Sequence, residues 1–183
     1  LFVLRPSHKA SWIGYAMAYD ILGNKEQALH ILEEFRKAQQ QVKAYDYEHS
    51  ELLLYMASLM IGAGQHNQAM DHLTKFEKDI VDNLAVSEFK GEIYIKLNRM
   101  SDAAKIYWDL LDRNPENKEY YEKLELVLGK KTVEEKKALY DEISVKYPRA
   151  SMAKKLPLNF LEGDAFRRHA DTYLKAALRK GVP

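Results

Sequence analysis

Three stretches of this chain set an alanine in the same surroundings: Glu26-Gln-Ala-Leu-His-Ile-Leu32, Asn67-Gln-Ala-Met-Asp-His-Leu73 and Ser101-Asp-Ala-Ala-Lys-Ile-Tyr107. The step is 41 residues from Ala28 to Ala69 and 34 from Ala69 to Ala103. The second step equals the tetratricopeptide period of about 34 residues. The flanks agree at fixed offsets from each alanine. A small residue lies twelve before (Ala16, Ala57, Gly91), a large one nine before (Tyr19, Met60, Tyr94), a turn former five before (Gly23, Gly64, Asn98) and a large one four after (Leu32, Leu73, Tyr107). Trp12 takes the early aromatic position of the first unit, and Pro115 the closing proline position of the third.

The pattern has a steric cause. Two antiparallel helices approach closely only where small side chains let the backbones meet, and large side chains one turn away fill the remaining space. Gly23 and Gly64 suit the left-handed residue that closes a first helix. Asn24 and Ser101-Asp102 suit the start of a second helix, because their side-chain oxygens accept from free backbone N–H groups. Aligning Pro148 with Pro115 gives a fourth, degenerate unit. It has Tyr120 at the aromatic position, Lys136 where alanine is expected, and a capping box at Thr132-Val-Glu-Glu135. A fifth pair keeps only Gly163 and the apolar period. The 41-residue step implies about seven inserted residues, placed in the Gln-rich 35–45 segment.

The expected fold is therefore all-α: a tetratricopeptide-type α-solenoid of about five antiparallel helix pairs, a single repeat segment over residues 1–183 with units at 8–43, 46–81, 83–115, 117–148 and 151–180. The helices are predicted at 8–22, 25–43, 46–62, 66–81, 83–97, 101–113, 117–128, 132–146, 151–161 and 164–180.

Little in the sequence points to chemistry. With no Cys, a thiolate zinc site and a Cys nucleophile are excluded. Gly62-Ala-Gly64 lacks the preceding strand and the lysine of a phosphate loop. His66 and His72 lie six apart and share no helix face, so no metal site is expected. Adjacent carboxylates such as Glu33-Glu34 point about 100° apart on a helix and form no acid–base pair. The longest apolar stretch, Leu52 to Ile61, is far shorter than the roughly 18 residues that cross a bilayer, so no membrane contact is expected.

Two surfaces remain. The first helices of the repeats should line a concave groove, with Ile13, Met17 and Asp20, then Leu54, Ser58 and Ile61, then Glu88 and Glu92 facing a peptide or helix. The second is basic. The formal charge of +1 is a cancellation: residues 143–183 hold nine Lys/Arg and three acids, and residues 1–142 carry the compensating −5. Lys154, Lys155, Arg167, Arg168, Lys175, Arg179 and Lys180 form the candidate polyanion patch.

Several strings are more specific than the repeat. Leu4-Arg-Pro-Ser-His-Lys-Ala-Ser-Trp-Ile-Gly-Tyr-Ala16, Ile31-Leu-Glu-Glu-Phe-Arg-Lys-Ala-Gln-Gln40, Tyr47-Glu-His-Ser-Glu-Leu-Leu-Leu-Tyr55, Arg113-Asn-Pro-Glu-Asn117 and Leu156-Pro-Leu-Asn-Phe-Leu161 closely resemble the auxiliary, ribosome-anchoring subunit of the N-terminal acetyltransferase A (NatA) complex. The resemblance runs from about residue 4 to 180. It implies a non-catalytic scaffold. In that family an all-helical ring of repeats wraps a small catalytic subunit, adjusts its active site and brings it to the ribosome. The catalytic subunit transfers acetyl from acetyl-CoA to nascent N-termini that begin with small residues. Acetyl-CoA is thus expected on the catalytic partner, inositol hexakisphosphate at the subunit interface of the full complex, and no cofactor in this chain. The implied location is cytoplasmic and ribosome-associated, and the charge of the basic end suggests an RNA contact there. The chain contains no Arg-x-x-Gly-x-Gly/Ala loop of the kind that cradles acetyl-CoA, so it should be catalytically inert alone. With no initiator Met and no signal-peptide pattern at Leu1-Phe-Val-Leu-Arg-Pro6, it is expected to be an internal piece of a longer protein. The competing readings are a generic tetratricopeptide adaptor gripping a peptide and, on the basic end, an RNA-binding solenoid.

Overall fold

Helix termini follow from a few side chains and backbone turns. The computed structural model describes residues 8–38 and 46–179. Among these it shows ten α-helices and one 3-10 turn. The helices are α1 (Lys9–Ile21), α2 (Lys25–Ala38), α3 (Tyr47–Gly62), α4 (His66–Lys75), α5 (Asn83–Lys96), α6 (Met100–Arg113), α7 (Lys118–Val127), α8 (Val133–Lys146), α9 (Met152–Lys155) and α10 (Gly163–Arg179), with the 3-10 turn at Leu156–Asn159. No strand occurs among the described residues. The chain is an all-α, tetratricopeptide-type solenoid, as the repeat implies.

One closure recurs. Gly23, Gly64 and Asn98, the three predicted turn formers, all sit at positive φ (80°, 77° and 57°), and Gly129 joins them at 64°. After each, the next backbone N–H reaches back five residues: Asn24 to Tyr19 O (2.8 Å), Gln65 to Met60 O (2.9 Å), Arg99 to Tyr94 O (2.8 Å) and Lys130 to Glu125 O (3.0 Å). This is the Schellman closure. Its fourth copy shows that the degenerate unit keeps the turn while losing the alanine.

Starts are capped as well. Asp46 Oδ1 accepts from Glu48 and His49 N–H, and Asp82 Oδ1 from Leu84 and Ala85 N–H. Asn24 Oδ1 accepts from Gln27 N–H (3.1 Å). The Thr132–Glu135 capping box forms in both directions, at 3.2 and 3.1 Å. Ser101 and Asp102 do not stand at the N-cap position: α6 begins at Met100, and both lie in its first turn.

The chain divides into two compact units, residues 1–99 and 100–183, where the sequence suggests one segment. In the first, α1 packs on α2, α2 on α3, α3 on α4, and α5 on both α3 and α4. The small positions Ala16, Ala28, Ala57 and Ala69 are fully buried among Leu32, Leu53, Met56, Leu59, Leu73 and Ile93. Trp12 lies against Phe35, ring centroids 5.9 Å apart. In the second unit, Tyr121 stacks on Tyr140 (5.7 Å), and Tyr140 contacts Phe160 (5.7 Å). Lys136, standing where alanine was expected, is half-buried. Its ammonium lies 2.7 Å from Glu125, whose other oxygen accepts from the Tyr140 hydroxyl.

Two helices are shorter than predicted. α4 stops at Lys75, not residue 81, because Ile80 turns into the core and the Val81 N–H donates to Ser50 Oγ (3.0 Å). The predicted 151–161 helix breaks after Lys155 into the 3-10 turn because Pro157 has no N–H to donate. The predicted extension of α2 over 39–43 lies outside the described residues.

Candidate functional site

α1 has an unusual sequence for a surface helix. From Ala10 to Tyr19 it carries no charge, yet Ala16 is its one buried residue. Trp12 and Tyr19 lean half-buried on the first-unit core. The opposite edge, Ala10, Ile13 and Met17, forms one wall of a cleft of about 630 Å³. The other wall is α3, through Glu48, Glu51, Leu52 and Tyr55, and Lys9 closes the rim. Met17 is half-exposed at 49%.

Polar ties brace the cleft at each end. At one, the Lys9 ammonium bonds the Glu48 carboxylate. At the other, Asp20 accepts from Lys25 Nζ (2.6 Å) and from the Tyr55 hydroxyl (3.0 Å). The Lys25 ammonium holds the Asp20 carboxyl below its ordinary range. Burial, with Asp20 as acceptor, pushes the Tyr55 phenol up to about 12. Asp20 is thus a clamp joining α1, α2 and α3.

Of the residues expected in the groove, the structure brings Ile13 and Met17 together on the cleft wall. Leu54 is buried in the core, and Ile61 packs against that core. Ser58 is half-buried, its hydroxyl donating to Tyr55 O (2.8 Å). Glu88 and Glu92 lie half-buried on α5, outside the cleft. The α3 wall was missed, although one signal was available. A cleft between two helices is lined by the edge of the first that faces forward and the edge of the second that faces back, and these are not equivalent repeat positions. Carrying Ile13, Met17 and Asp20 forward by 41 residues gives Leu54, Ser58 and Ile61, the wrong edge of α3.

The basic residues sit on α9, α10 and the residues after them. Lys154 Nζ donates to Pro148 O. Arg167 pairs with Asp164 (3.6 Å) and Lys175 with Asp171 (2.6 Å). Arg168 Nε donates to Asp164 O (3.3 Å). Lys155 and Arg179 are exposed, and Lys180 lies outside the described residues. α10 has no buried residue, and Phe166, Leu174 and Leu178 are exposed along it.

Among the described residues no group of three His, Asp or Glu side chains is placed to hold a metal ion. No described helix is long and apolar enough to cross a membrane.

A family model described as N-terminal acetyltransferase A, auxiliary subunit, matches residues 47–183. The whole chain is 44% identical to the human protein "N-alpha-acetyltransferase 16, NatA auxiliary subunit", of which it spans 21%. It is 34% identical to the Arabidopsis thaliana "N-terminal acetyltransferase A complex auxiliary subunit NAA15", of which it spans 22%. A solved structure of Naa15/Naa10 bound to HypK-THB superposes on all of the chain with a TM-score of 0.83 at 42% identity, the match covering 28% of that structure's chain. The family strings, the repeat and these likenesses agree: the chain belongs to the N-terminal acetyltransferase A auxiliary subunit family.

Proposed function

We propose that the protein to which this chain belongs is a non-catalytic scaffold that holds a small acetyltransferase subunit and positions it at the ribosome, where nascent N-termini with small first residues are acetylated. The observation that carries the reading is the likeness, at 42% identity over all of the chain, to Naa15 in a structure with Naa10. Helix pairs stacked through buried alanines suit a scaffold, since such stacks present extended surfaces built from successive helices.

In this reading acetyl-CoA belongs to the catalytic partner, inositol hexakisphosphate to the interface of the full complex, and the site of action is the cytoplasm at the ribosome. The basic residues of α9 and α10 supply a contact for ribosomal RNA. The experiment is co-purification of the full-length protein. A small acetyltransferase should accompany it in near-equal amount, and the complex should acetylate peptides beginning with Ser or Ala while the scaffold alone does not. Recovery without any acetyltransferase overturns the proposal.

A further inference from the structure

We propose that the α1–α3 cleft is a seat for an amphipathic helix of a partner protein, about three turns long, with large apolar side chains on one face and a Lys or Arg beside Glu51. The proposal rests on the scaffold reading only in expecting a protein occupant.

Length comes from the two braces. Lys9 and Asp20 lie eleven residues apart on α1, about 16 Å at the helical rise of about 1.5 Å per residue. Between them the walls are Ala10, Ile13, Met17, Leu52 and the Tyr55 ring. Ties from Lys9 to Glu48 and from Tyr55 to Asp20 link the two walls at each end and fix their spacing, so the cleft is formed before anything enters it.

Backbone accounting selects a helix. An extended peptide lying in the cleft needs partners for its N–H and C=O groups. Between the braces the wall side chains Ala10, Ile13, Met17 and Leu52 have no polar atom to offer such groups. A helix satisfies its own backbone and needs only apolar contact, with anchors spaced i, i+3, i+4 and i+7. Met17, unbranched and polarisable, adapts to differing anchors.

Charge sets the second requirement. Among the described residues that line the cleft, Glu48 and Glu51 stand on the α3 wall and Lys9 is the one cation. Glu51 is exposed on the rim. The excess over these described residues is negative, which favours a basic flank on the occupant and disfavours an acidic one.

The test uses the full-length protein with its acetyltransferase partner and a labelled, helix-stapled peptide of about 12 residues bearing Leu at i, i+3, i+4 and i+7 and Lys on the flank. Fluorescence anisotropy should show saturable binding, weakened about tenfold or more by Met17→Glu, a half-exposed position whose change leaves the core intact. Glu51→Lys should weaken the Lys peptide and improve a peptide carrying Glu in its place. A proline-broken peptide of the same composition should not bind. Absence of binding to the wild type, equal binding by the variants, or equal binding of the proline-broken peptide overturns the proposal. So does a photo-crosslinker at position 17 that attaches to this protein's own chain or to a second copy. Failure of the scaffold reading shows separately, as wild-type protein that recovers no acetyltransferase.

Discussion

His72 carries a pH dependence in a single buried ring. It is 7% exposed, and its Nε2–H donates to Leu53 O across 3.0 Å, tying α4 to α3. Burial pushes its pKa down, and Arg36 and Lys75 nearby push the same way, against the Leu53 carbonyl and Glu33. His49 shifts down as well, again mainly by burial, and its Nδ1 finds no partner among the described residues. A histidine whose folded pKa lies below its unfolded value near 6.5 stays neutral in the fold while the unfolded chain takes up the proton. The stability it contributes is present above pH 6.5 and drains away as pH falls below it, by at most about 1.4 kcal/mol per pH unit per group. Urea midpoints should therefore drop between pH 7.5 and pH 5.5. His72→Gln should lower the midpoint at pH 7.5 and flatten the slope. A variant slope as steep as the wild type would remove His72 from the explanation.

Helix closure is where the sequence was most legible, because it depends on one residue's backbone. Gly64 at φ 77° has no neighbour within 4 Å of an added Cβ, so substitution there meets only backbone strain. Gly64→Ala should cost about 1 kcal/mol, and Asn98→Gly, which relieves the same conformation at φ 57°, should be neutral or slightly stabilising. Thermal unfolding of the pair checks this, and equal losses in both would refute it. The buried alanines were legible for a comparable reason, since one steric demand recurs at a fixed offset. The fifth pair was not. α9 is held by a residue far upstream: the Glu116 carboxylate accepts from Ser151 N–H (2.7 Å), Ser151 Oγ (2.8 Å) and Met152 N–H (3.1 Å), capping a helix too short to announce itself by periodicity. The cleft was half legible. Its α1 wall holds Ile13 and Met17, two positions taken from the first helix of the repeat, but its α3 wall depends on which edge turns back toward the preceding helix, a packing fact that translation along the repeat does not carry.

At the scale of the whole molecule, charge is the remaining property. The sequence segregates it, with −5 over residues 1–142 and +6 over 143–183, and the structure shows how much of the basic part is already spoken for. Lys175 is paired with Asp171 at 2.6 Å, whereas the Arg167–Asp164 contact is longer, at 3.6 Å between two highly exposed side chains. Exposed pairs of this kind contribute at most about 1 kcal/mol, so a phosphate backbone competes for these cations readily. Arg179 and Lys155 stand exposed. If the proposed ribosome contact uses this end, it is a polyelectrolyte contact and must weaken as salt rises. Full-length protein carrying Arg167→Glu, Arg168→Glu and Arg179→Glu should leave the ribosome pellet at lower salt than the wild type. Lys175→Ala, which also frees Asp171, should lower affinity less than the triple reversal does. The helix should survive these changes, because α10 buries none of the altered side chains. Co-purification with the acetyltransferase serves as the internal control. A triple variant that sediments with ribosomes across the same salt range as the wild type would place the ribosome contact elsewhere in the longer protein and leave the basic end as a solvated helix.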